Sequence, residues 1–235
     1  MRYVHCLNNI SSHGTDLLTD SYELTDDPAQ ASAILVRSAA MHDMAFGDGL
    51  LAIARAGAGV NNIPTDRCAE EGIVVFNTPG ANANAVKEIV LCALLLGSRG
   101  IVDGIAWCRD NADDPNIAKA VEKAKKQFAG REIKGKKLGV IGLGAIGAEV
   151  ANAAVALGMD VLGYDPYISV EHAWKLSRAV RHSTDFTEVL EKSDYLTLHV
   201  PLMDYTRNTI DEAALRRMKP TAALLNFARG PLVDA

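Results

Sequence analysis

The stretch that decides the fold runs from Lys137 to Gly147 and reads KLGVIGLGAIG. Its first half, Leu138–Ile141, is short and apolar, which is typical of a buried strand. Glycines then follow in the pattern GxGxxG, at Gly142, Gly144 and Gly147. The first glycine of such a pattern allows a tight turn, the second lets a diphosphate approach the backbone, and the third lets the next helix pack closely on the strand. The free N–H groups that open the next helix predict an anion site. Ala145 and Ile146, which lie between the glycines, are further candidate cofactor residues.

The residues after the glycines favour a dinucleotide as the anion. A predicted helix, Ala148–Leu157, ends at Gly158, and a predicted strand, Asp160–Tyr164, follows. This strand delivers Asp165 about twenty residues beyond the glycines, where an acid accepts hydrogen bonds from ribose hydroxyls. A GxGxxG pattern alone also occurs in turns that bind nothing, so the spacing to Asp165 carries the interpretation. Because no Arg or Lys follows Asp165 directly to meet a 2′-phosphate, NAD is favoured over NADP.

Composition narrows the class of protein. The chain has 235 residues, 49% hydrophobic residues and a net charge of −5, with a pI near 5.7. These values predict globular cores and argue against nucleic acid as a partner. The four cysteines, with no CxxC pair, predict free thiols and neither disulfides nor a metal site: Cys6, Cys68, Cys92 and Cys108.

The apolar segments do not predict a membrane protein or a secreted one. The N-terminus carries polar residues where a signal peptide needs an apolar core. The longest apolar run, Ile89–Leu96, is too short to cross a bilayer. We therefore expect a cytoplasmic protein.

Short apolar segments recur along the chain at the spacing of alternating strands and helices, which predicts an α/β fold with parallel sheets. The predicted strands in the first third are Tyr3–Leu7, Ala33–Val36, Leu51–Ala54 and Ile73–Phe76. Those in the last third are Ala179–Arg181, Tyr195–His199 and Ala222–Asn226, with helices predicted at Asp185–Lys192 and Asp211–Met218.

Two arginines follow predicted strands in the first third. Arg37 and Arg55 each stand at a carboxyl end, the edge where open α/β sheets bind ligands. Either alone could be an ordinary surface arginine. Together with the bare N–H groups of Ala58, Gly59 and Val60 they favour a pocket for a carboxylate or phosphate.

The carboxyl ends of the last strands should face the same crevice as the glycine turn. They bring Val200 and Pro201 to it from one strand, and Phe227, Ala228 and Arg229 from the next. A fixed positive charge at Arg229 could polarise a substrate carbonyl and hold an adjacent carboxylate. For His199, at the end of the first of these strands, we favour a neutral hydrogen-bonded role over acid/base chemistry, since no carboxylate is evidently placed to orient it.

The middle of the chain predicts a crossover between two domains. Asn77–Gly80 is a cluster of turn residues. The long apolar helical run Ala83–Cys108, broken near Gly97–Gly100, fits a buried core helix and a subunit contact equally well. A polar segment that looks mobile, Asp110–Lys126, and a predicted hairpin at Gly130–Gly135 lead to the glycine-rich strand. Within the polar segment, Lys123, Lys125 and Lys126 are expected on a solvated helix face.

Six segments in this order resemble the D-isomer-specific 2-hydroxyacid dehydrogenases. They are Arg55–Ile63, Asn77–Gly80, Leu138–Gly147, Gly163–Pro166, His199–Leu202 and Asn226–Asp234. The segment Leu35–Ala39 is similar in particular to the branch of this family that acts on phosphoglycerate. The resemblance implies a flavodoxin-like substrate domain at 1–80 and an NAD-binding Rossmann domain at 81–235. It also implies a homodimer through the helix that follows Pro79.

The resemblance further implies an activity. It is the NAD-dependent oxidation of 3-phospho-D-glycerate, the first step of serine biosynthesis, with Arg229 matching the family's catalytic arginine and Arg37 one that helps to bind substrate. The family's glutamate and histidine are expected beyond Ala235, so residues 1–235 alone are expected to bind NAD but to be nearly inactive. One alternative is a glyoxylate or hydroxypyruvate reductase; another is a non-catalytic interaction protein that senses NAD.

Overall fold

The computed structural model describes residues 1–234, so Ala235, the last residue of the predicted second domain, lies outside the described part. The chain divides into two compact units, Met1–Asn82 and Ala83–Ala235. The division falls two residues beyond the predicted boundary. Each unit has its own parallel sheet and its own buried core.

The first unit is built on a five-stranded sheet. Its strands are β1 (Arg2–Cys6), β2 (Tyr22–Thr25), β3 (Ala33–Val36), β4 (Ala52–Arg55) and β5 (Val74–Phe76). Two short helices, α1 (Ser12–Thr15) and α2 (Thr65–Glu70), and a 3₁₀ turn at Pro28–Gln30 connect them. The order β2-β1-β3-β4-β5, all parallel, is the flavodoxin-like order. The expected flavodoxin-like fold of the first unit is thereby confirmed.

Strand β2 was not predicted from the sequence because it is mostly exposed. Three of its four residues are exposed at the edge of the sheet. An edge strand of this kind lacks the apolar run by which a buried strand is recognised. The core lies instead on β3 and β4, where Ile34, Val36 and Ile53 are almost completely buried.

The second unit begins with helices. They are α3 (Ala83–Ser98), α4 (Ile101–Asp110) and α5 (Ile117–Ala124), followed by a 3₁₀ turn at Lys125–Phe128. Helix α3 buries Val90 and Leu94 in the core of this unit, as the interpretation of a buried core helix requires. Ile89, on the same helix, is 56% exposed. No single helix within residues 1–234 is long and apolar enough to cross a membrane; α3 and α4 qualify only as a pair, with a 68° bend between them.

One prediction for the connecting segment is wrong and another is confirmed in part. The polar segment Asp110–Lys126 contains helix α5, on which Lys123 is exposed as expected, while Lys125 and Lys126 are exposed in the 3₁₀ turn that follows. The residues Gly130–Gly135 form turns and no hairpin. The backbone N–H of Arg131 donates to Ser98 O at 2.7 Å. This hydrogen bond fastens the segment to the end of α3.

The sheet of the second unit carries the glycine-rich strand at its centre. Its strands are β6 (Lys137–Ile141), β7 (Asp160–Tyr164), β8 (Arg181–His182), β9 (Tyr195–Leu198) and β10 (Ala223–Asn226). Its helices are α6 (Ala145–Ala156), α7 (Val170–Lys175), α8 (Phe186–Lys192) and α9 (Glu212–Arg217), with a 3₁₀ turn at Gly230–Leu232. The strands are parallel in the order β10-β9-β6-β7-β8. The strand order reverses between β6 and β9, which is where Rossmann-type sheets bind ligands.

Local capping explains where the helices of this sheet begin. Asp185 and Asp211, predicted as first helical residues, are N-caps: their carboxylates accept from Thr187 N and Ala214 N, each at 2.8 Å. Such a side chain satisfies an N–H group that the helix itself leaves unpaired. Helix α6 begins earlier than predicted, at Ala145 inside the glycine pattern, and it has no such cap.

Candidate functional site

Gly142 forms the turn that the sequence predicts at the end of β6. Its φ is +89°, a conformation that residues with a side chain rarely adopt. A Cβ at this position would come within 2.8 Å of the carbonyl carbon and oxygen of His199, just after β9. The turn therefore packs closely between the ends of β6 and β9, where the order of the strands in the sheet reverses.

Gly147 brings helix α6 against this turn. A Cβ there would lie 1.8 Å from Gly142 O, closer than any real contact. A side chain at position 147 would therefore push the start of the helix away from the strand. The third glycine thus fixes where the first turn of α6 stands.

The first turn of α6 is open to a ligand. Its N-cap is Gly144, which has no side chain to accept a hydrogen bond. Within residues 1–234 the backbone N–H groups of Gly144, Ala145 and Ile146 have no acceptor. Apart from its neighbours in the chain, no described residue comes within 4 Å of the place that a Gly144 Cβ would take. Unpaired N–H groups at the positive end of a helix are suited to a diphosphate.

Asp165 is fastened to the same turn. Its Oδ2 accepts from Leu143 N at 2.8 Å and its Oδ1 from Tyr167 N at 2.9 Å. A carboxylate has about four acceptor sites, so it retains capacity for ribose hydroxyls. The structure therefore places the acid of the predicted dinucleotide site beside the glycines.

The ends of β9 and β10 supply further residues at this edge of the sheet. Val200 is half-buried and Pro201 exposed after β9; Ala228 is half-buried, and Phe227 and Arg229 are exposed after β10. The Arg229 guanidinium donates to Ala228 O at 2.8 Å. All the predicted cofactor residues and Arg229 thus belong to one unit and follow strands of one sheet.

Asn226 organises the turn that carries Arg229, a role that the sequence analysis missed. Its amide N–H donates to Arg229 O at 2.8 Å and its Oδ1 accepts from Ala228 N at 3.1 Å. The side chain thus ties both ends of the turn to the end of β10. An Asn before such a turn is the available signal, because its amide mimics backbone groups.

His199 lies at the edge of the site as a neutral side chain. Its Nε2 shares a hydrogen bond of 2.9 Å with the hydroxyl of Thr197, which is completely buried. Burial lowers the pKa of His199 from 6.5 to about 4. The expectation of a neutral hydrogen-bonded histidine is therefore confirmed.

In the first unit, Arg37 and Arg55 stand at the ends of neighbouring strands. Val36 pairs with Arg55 in the register of β3 and β4, and Arg55 Nε donates to Arg37 O at 3.2 Å. Arg37 is exposed and Arg55 half-buried. The two predicted anion-binding arginines are therefore neighbours.

The loop after Arg55 also presents unpaired donors. Within the described residues, the N–H groups of Ala58, Gly59 and Val60 have no acceptor. Asn77, whose role was missed, holds this loop by donating to Ala58 O at 2.7 Å. Three successive unpaired N–H groups are suited to an anion.

Asn8, at the reversal point of the first sheet, is another residue that the sequence analysis missed. Its Oδ1 accepts from Arg37 N, Ser38 N and Ala39 N at 2.9–3.0 Å. These N–H groups are therefore already paired, unlike those of the Ala58–Val60 loop. At Arg37 a ligand would therefore meet the guanidinium and not these three N–H groups.

Comparison with known proteins identifies the family. The sequence pattern described as "D-isomer specific 2-hydroxyacid dehydrogenase, NAD binding domain" matches residues 91–235. The (S)-sulfolactate dehydrogenase of Chromohalobacter salexigens is 35% identical over 93% of this chain and 68% of its own length. The chain belongs to the D-isomer-specific 2-hydroxyacid dehydrogenases.

Other members of the family are similar over different shares of their length. The D-3-phosphoglycerate dehydrogenase of Methanocaldococcus jannaschii is 38% identical over 79% of this chain but only 33% of its own length. The crystal structure of the TT0316 protein from Thermus thermophilus matches 99% of this chain and 75% of that one, with a TM-score of 0.82 and 26% identity. This chain spans about a third of the phosphoglycerate dehydrogenases that it resembles.

The dehydrogenase family's cofactor, NAD, fits the second unit. The open N–H groups at the start of α6 suit its diphosphate, and Asp165 suits the adenosine ribose. The lack of side-chain atoms around Gly144 leaves space for the approach of the diphosphate. Because the matching family model is an NAD-binding domain, the predicted cofactor is confirmed.

Proposed function

We propose that this chain forms the substrate-binding and NAD-binding parts of a dehydrogenase that oxidises 3-phospho-D-glycerate to 3-phosphooxypyruvate. The observation that carries the proposal is the first turn of α6, with three unpaired N–H groups next to Asp165. The paired arginines of the first unit and the similarity to phosphoglycerate dehydrogenases support the substrate.

Each residue has a defined task in this proposal. Gly142, Gly144 and Gly147 hold the diphosphate against the backbone N–H groups of Ala145 and Ile146. Asp165 orients the ribose through its hydroxyls. Val200, Pro201, Phe227 and Ala228 cover the cofactor at the ends of β9 and β10. When bound, NAD would supply the acceptor for the hydride that leaves C2 of the hydroxy acid.

The carboxylate and phosphate of the substrate would be held by hydrogen-bond donors of this chain. The N–H groups of Ala58–Val60 suit the carboxylate because they are unpaired and successive. Arg37 and Arg55 suit the phosphate, and Arg229 suits the C2 oxygen, where negative charge develops in the reverse reaction. We assign no proton transfer to His199, because a pKa of about 4 keeps it neutral and weakly basic at pH 7.

Sulfolactate is a second candidate substrate, because one of the similar proteins is a sulfolactate dehydrogenase. The similarity to a sulfolactate dehydrogenase extends over 93% of the chain. A sulfonate and a phosphate are both tetrahedral anions, so two arginines can hold either. A glyoxylate or hydroxypyruvate reductase remains the alternative in which no second anion is bound.

The test measures oxidation by the natural protein that carries this sequence. We expect NAD-dependent turnover of 3-phosphoglycerate, and a loss of about tenfold or more in kcat/KM for Arg37→Gln, because a charge-assisted hydrogen bond contributes about 1.5–3 kcal/mol. Sulfolactate and hydroxypyruvate are compared with the same variant. An equal effect of Arg37→Gln on phosphorylated and unphosphorylated substrates would exclude a phosphate site at Arg37. Partner binding that depends on NAD, without any turnover, would favour the sensing role.

A further inference from the structure

One side chain of the first unit closes the turn that carries Arg37. Asn8, which follows β1, is half-buried. Its Oδ1 accepts from the backbone N–H groups of Arg37, Ser38 and Ala39, at 3.0, 2.9 and 3.0 Å. Only an acceptor can face three N–H groups, so the amide is oriented with its oxygen towards the turn. Successive N–H groups that converge on one oxygen form the kind of concave site that binds anions, and here a neutral amide occupies it.

The carbonyl groups of the same turn are also held by side chains. Arg55 Nε donates to Arg37 O at 3.2 Å, and Asn62 Nδ2 donates to Ala39 O at 2.8 Å. Ala39 packs against the core of the first unit. The backbone of Arg37 is therefore fixed through its N–H group by Asn8 and through its carbonyl group by Arg55. Arg37 itself is exposed, so its side chain projects from a fixed backbone.

The neighbouring loop, Ala58–Val60, differs in this respect. Its three N–H groups have no acceptor within the described residues, whereas those of the Arg37 turn are already paired. The first unit thus offers two kinds of anion site, one made of backbone N–H groups and one made of a guanidinium. A guanidinium can hold a tetrahedral anion through two parallel hydrogen bonds, which requires a defined orientation. A fixed backbone reduces the conformational entropy that the long side chain loses on binding.

We propose that Asn8 is a positioning residue for the second anion of the substrate, the phosphate, an inference that rests on the proposed function. By filling the concave site of the turn, Asn8 holds the backbone from which Arg37 reaches the phosphate. Because the amide is neutral, it does so without adding a negative charge beside an anion. A carboxylate would accept the same three hydrogen bonds but would repel the phosphate. Position 8 is therefore expected to affect phosphorylated ligands selectively.

The experiment measures reduction of 3-phosphooxypyruvate by the natural protein that carries this sequence, with hydroxypyruvate, which lacks the phosphate, as a competing ligand. Asn8→Ala removes the acceptor and should raise KM for phosphooxypyruvate by about tenfold. Since the phosphate contributes binding before and during the reaction alike, kcat should stay within about twofold, as should the affinity for hydroxypyruvate. Asn9→Ala is the matched control, because Asn9 is exposed and its side chain makes no hydrogen bond within residues 1–234.

A double-mutant cycle tests whether Asn8 acts through Arg37. In the Arg37→Gln background, Asn8→Ala should raise KM by less than about twofold, because the guanidinium that Asn8 positions is already absent. Asn8→Asp keeps the acceptor and should therefore keep the free energy of unfolding of the wild type. Its added charge should raise KM for phosphooxypyruvate at low salt, and the rise should shrink at high salt.

Three results would overturn this role of Asn8 alone. They are an equal loss of affinity for both ligands, effects of Asn8→Ala and Arg37→Gln that multiply, and tighter binding of phosphooxypyruvate by Asn8→Ala, which would show that the freed N–H groups bind the phosphate themselves. If Asn8→Ala does not fold, Asn8→Asp decides, since a wild-type KM or a rise independent of salt would also overturn the role. If Arg37→Gln affects both ligands equally, the phosphate site of the proposed function fails and the role of Asn8 fails with it.

Discussion

Substitution of Gly147 by alanine tests how the glycine turn creates the cofactor site. The new Cβ would lie 1.8 Å from Gly142 O. A carbon–oxygen contact is tolerable only beyond about 3.3 Å, so the start of α6 must move by roughly 1.5 Å. This overpacking should reduce the free energy of unfolding by about 1–3 kcal/mol.

The same displacement should weaken NADH binding. A hydrogen bond to a charged group contributes about 1.5–3 kcal/mol, and a shift of this size breaks at least one such bond to the diphosphate. The dissociation constant should therefore rise by at least about tenfold. Calorimetry measures the affinity, and urea unfolding measures the stability.

Two other glycines serve as matched controls. Gly144→Ala meets no protein atom within 4 Å, so it should leave stability unchanged but obstruct the diphosphate. Gly97→Ala, in the exposed part of α3, also meets nothing within 4 Å and should leave affinity unchanged. Unaltered affinity in both Gly147→Ala and Gly144→Ala would refute the assignment of the diphosphate to this turn.

Two further predictions concern the edge of the same sheet. Asp165→Ser should weaken NADH binding by about tenfold or more, because charged hydrogen bonds to the ribose are lost. It should also reduce the preference for NADH over NADPH, because the carboxylate no longer repels a 2′-phosphate. Competition calorimetry measures both effects, and an unchanged preference would count against the assignment of Asp165 to the ribose. For His199, the folded-state pKa of about 4 lies below the unfolded value of 6.5, so its stabilising effect is complete above pH 6.5 and is lost as the pH falls toward 4. His199→Asn should therefore lose less stability than the wild type over that interval, by about 3 kcal/mol at most; parallel losses in urea unfolding would show that His199 is not buried as a neutral group.

The sequence by itself determined the elements whose signals are local. Apolar runs located β3, β6 and β7 within a residue, because buried parallel strands are continuous in hydrophobicity. The GxGxxG pattern and its distance to Asp165 predicted the cofactor, since both the turn and the spacing are properties of one βαβ segment. The edge strand β2 was missed, because its exposed residues form no apolar run.

Only the tertiary structure decided which groups are already paired and which are open. Asn8 accepts hydrogen bonds from the backbone N–H groups of Arg37–Ala39. The N–H groups of Ala58–Val60 and of the start of α6 have no acceptor within the described residues. The roles of Asn226 and the low pKa of His199 likewise depend on the turn and the burial around them. Pairing and burial arise from residues brought together by the order of the strands. That order is a property of the folded sheet, so no single segment of sequence contains it.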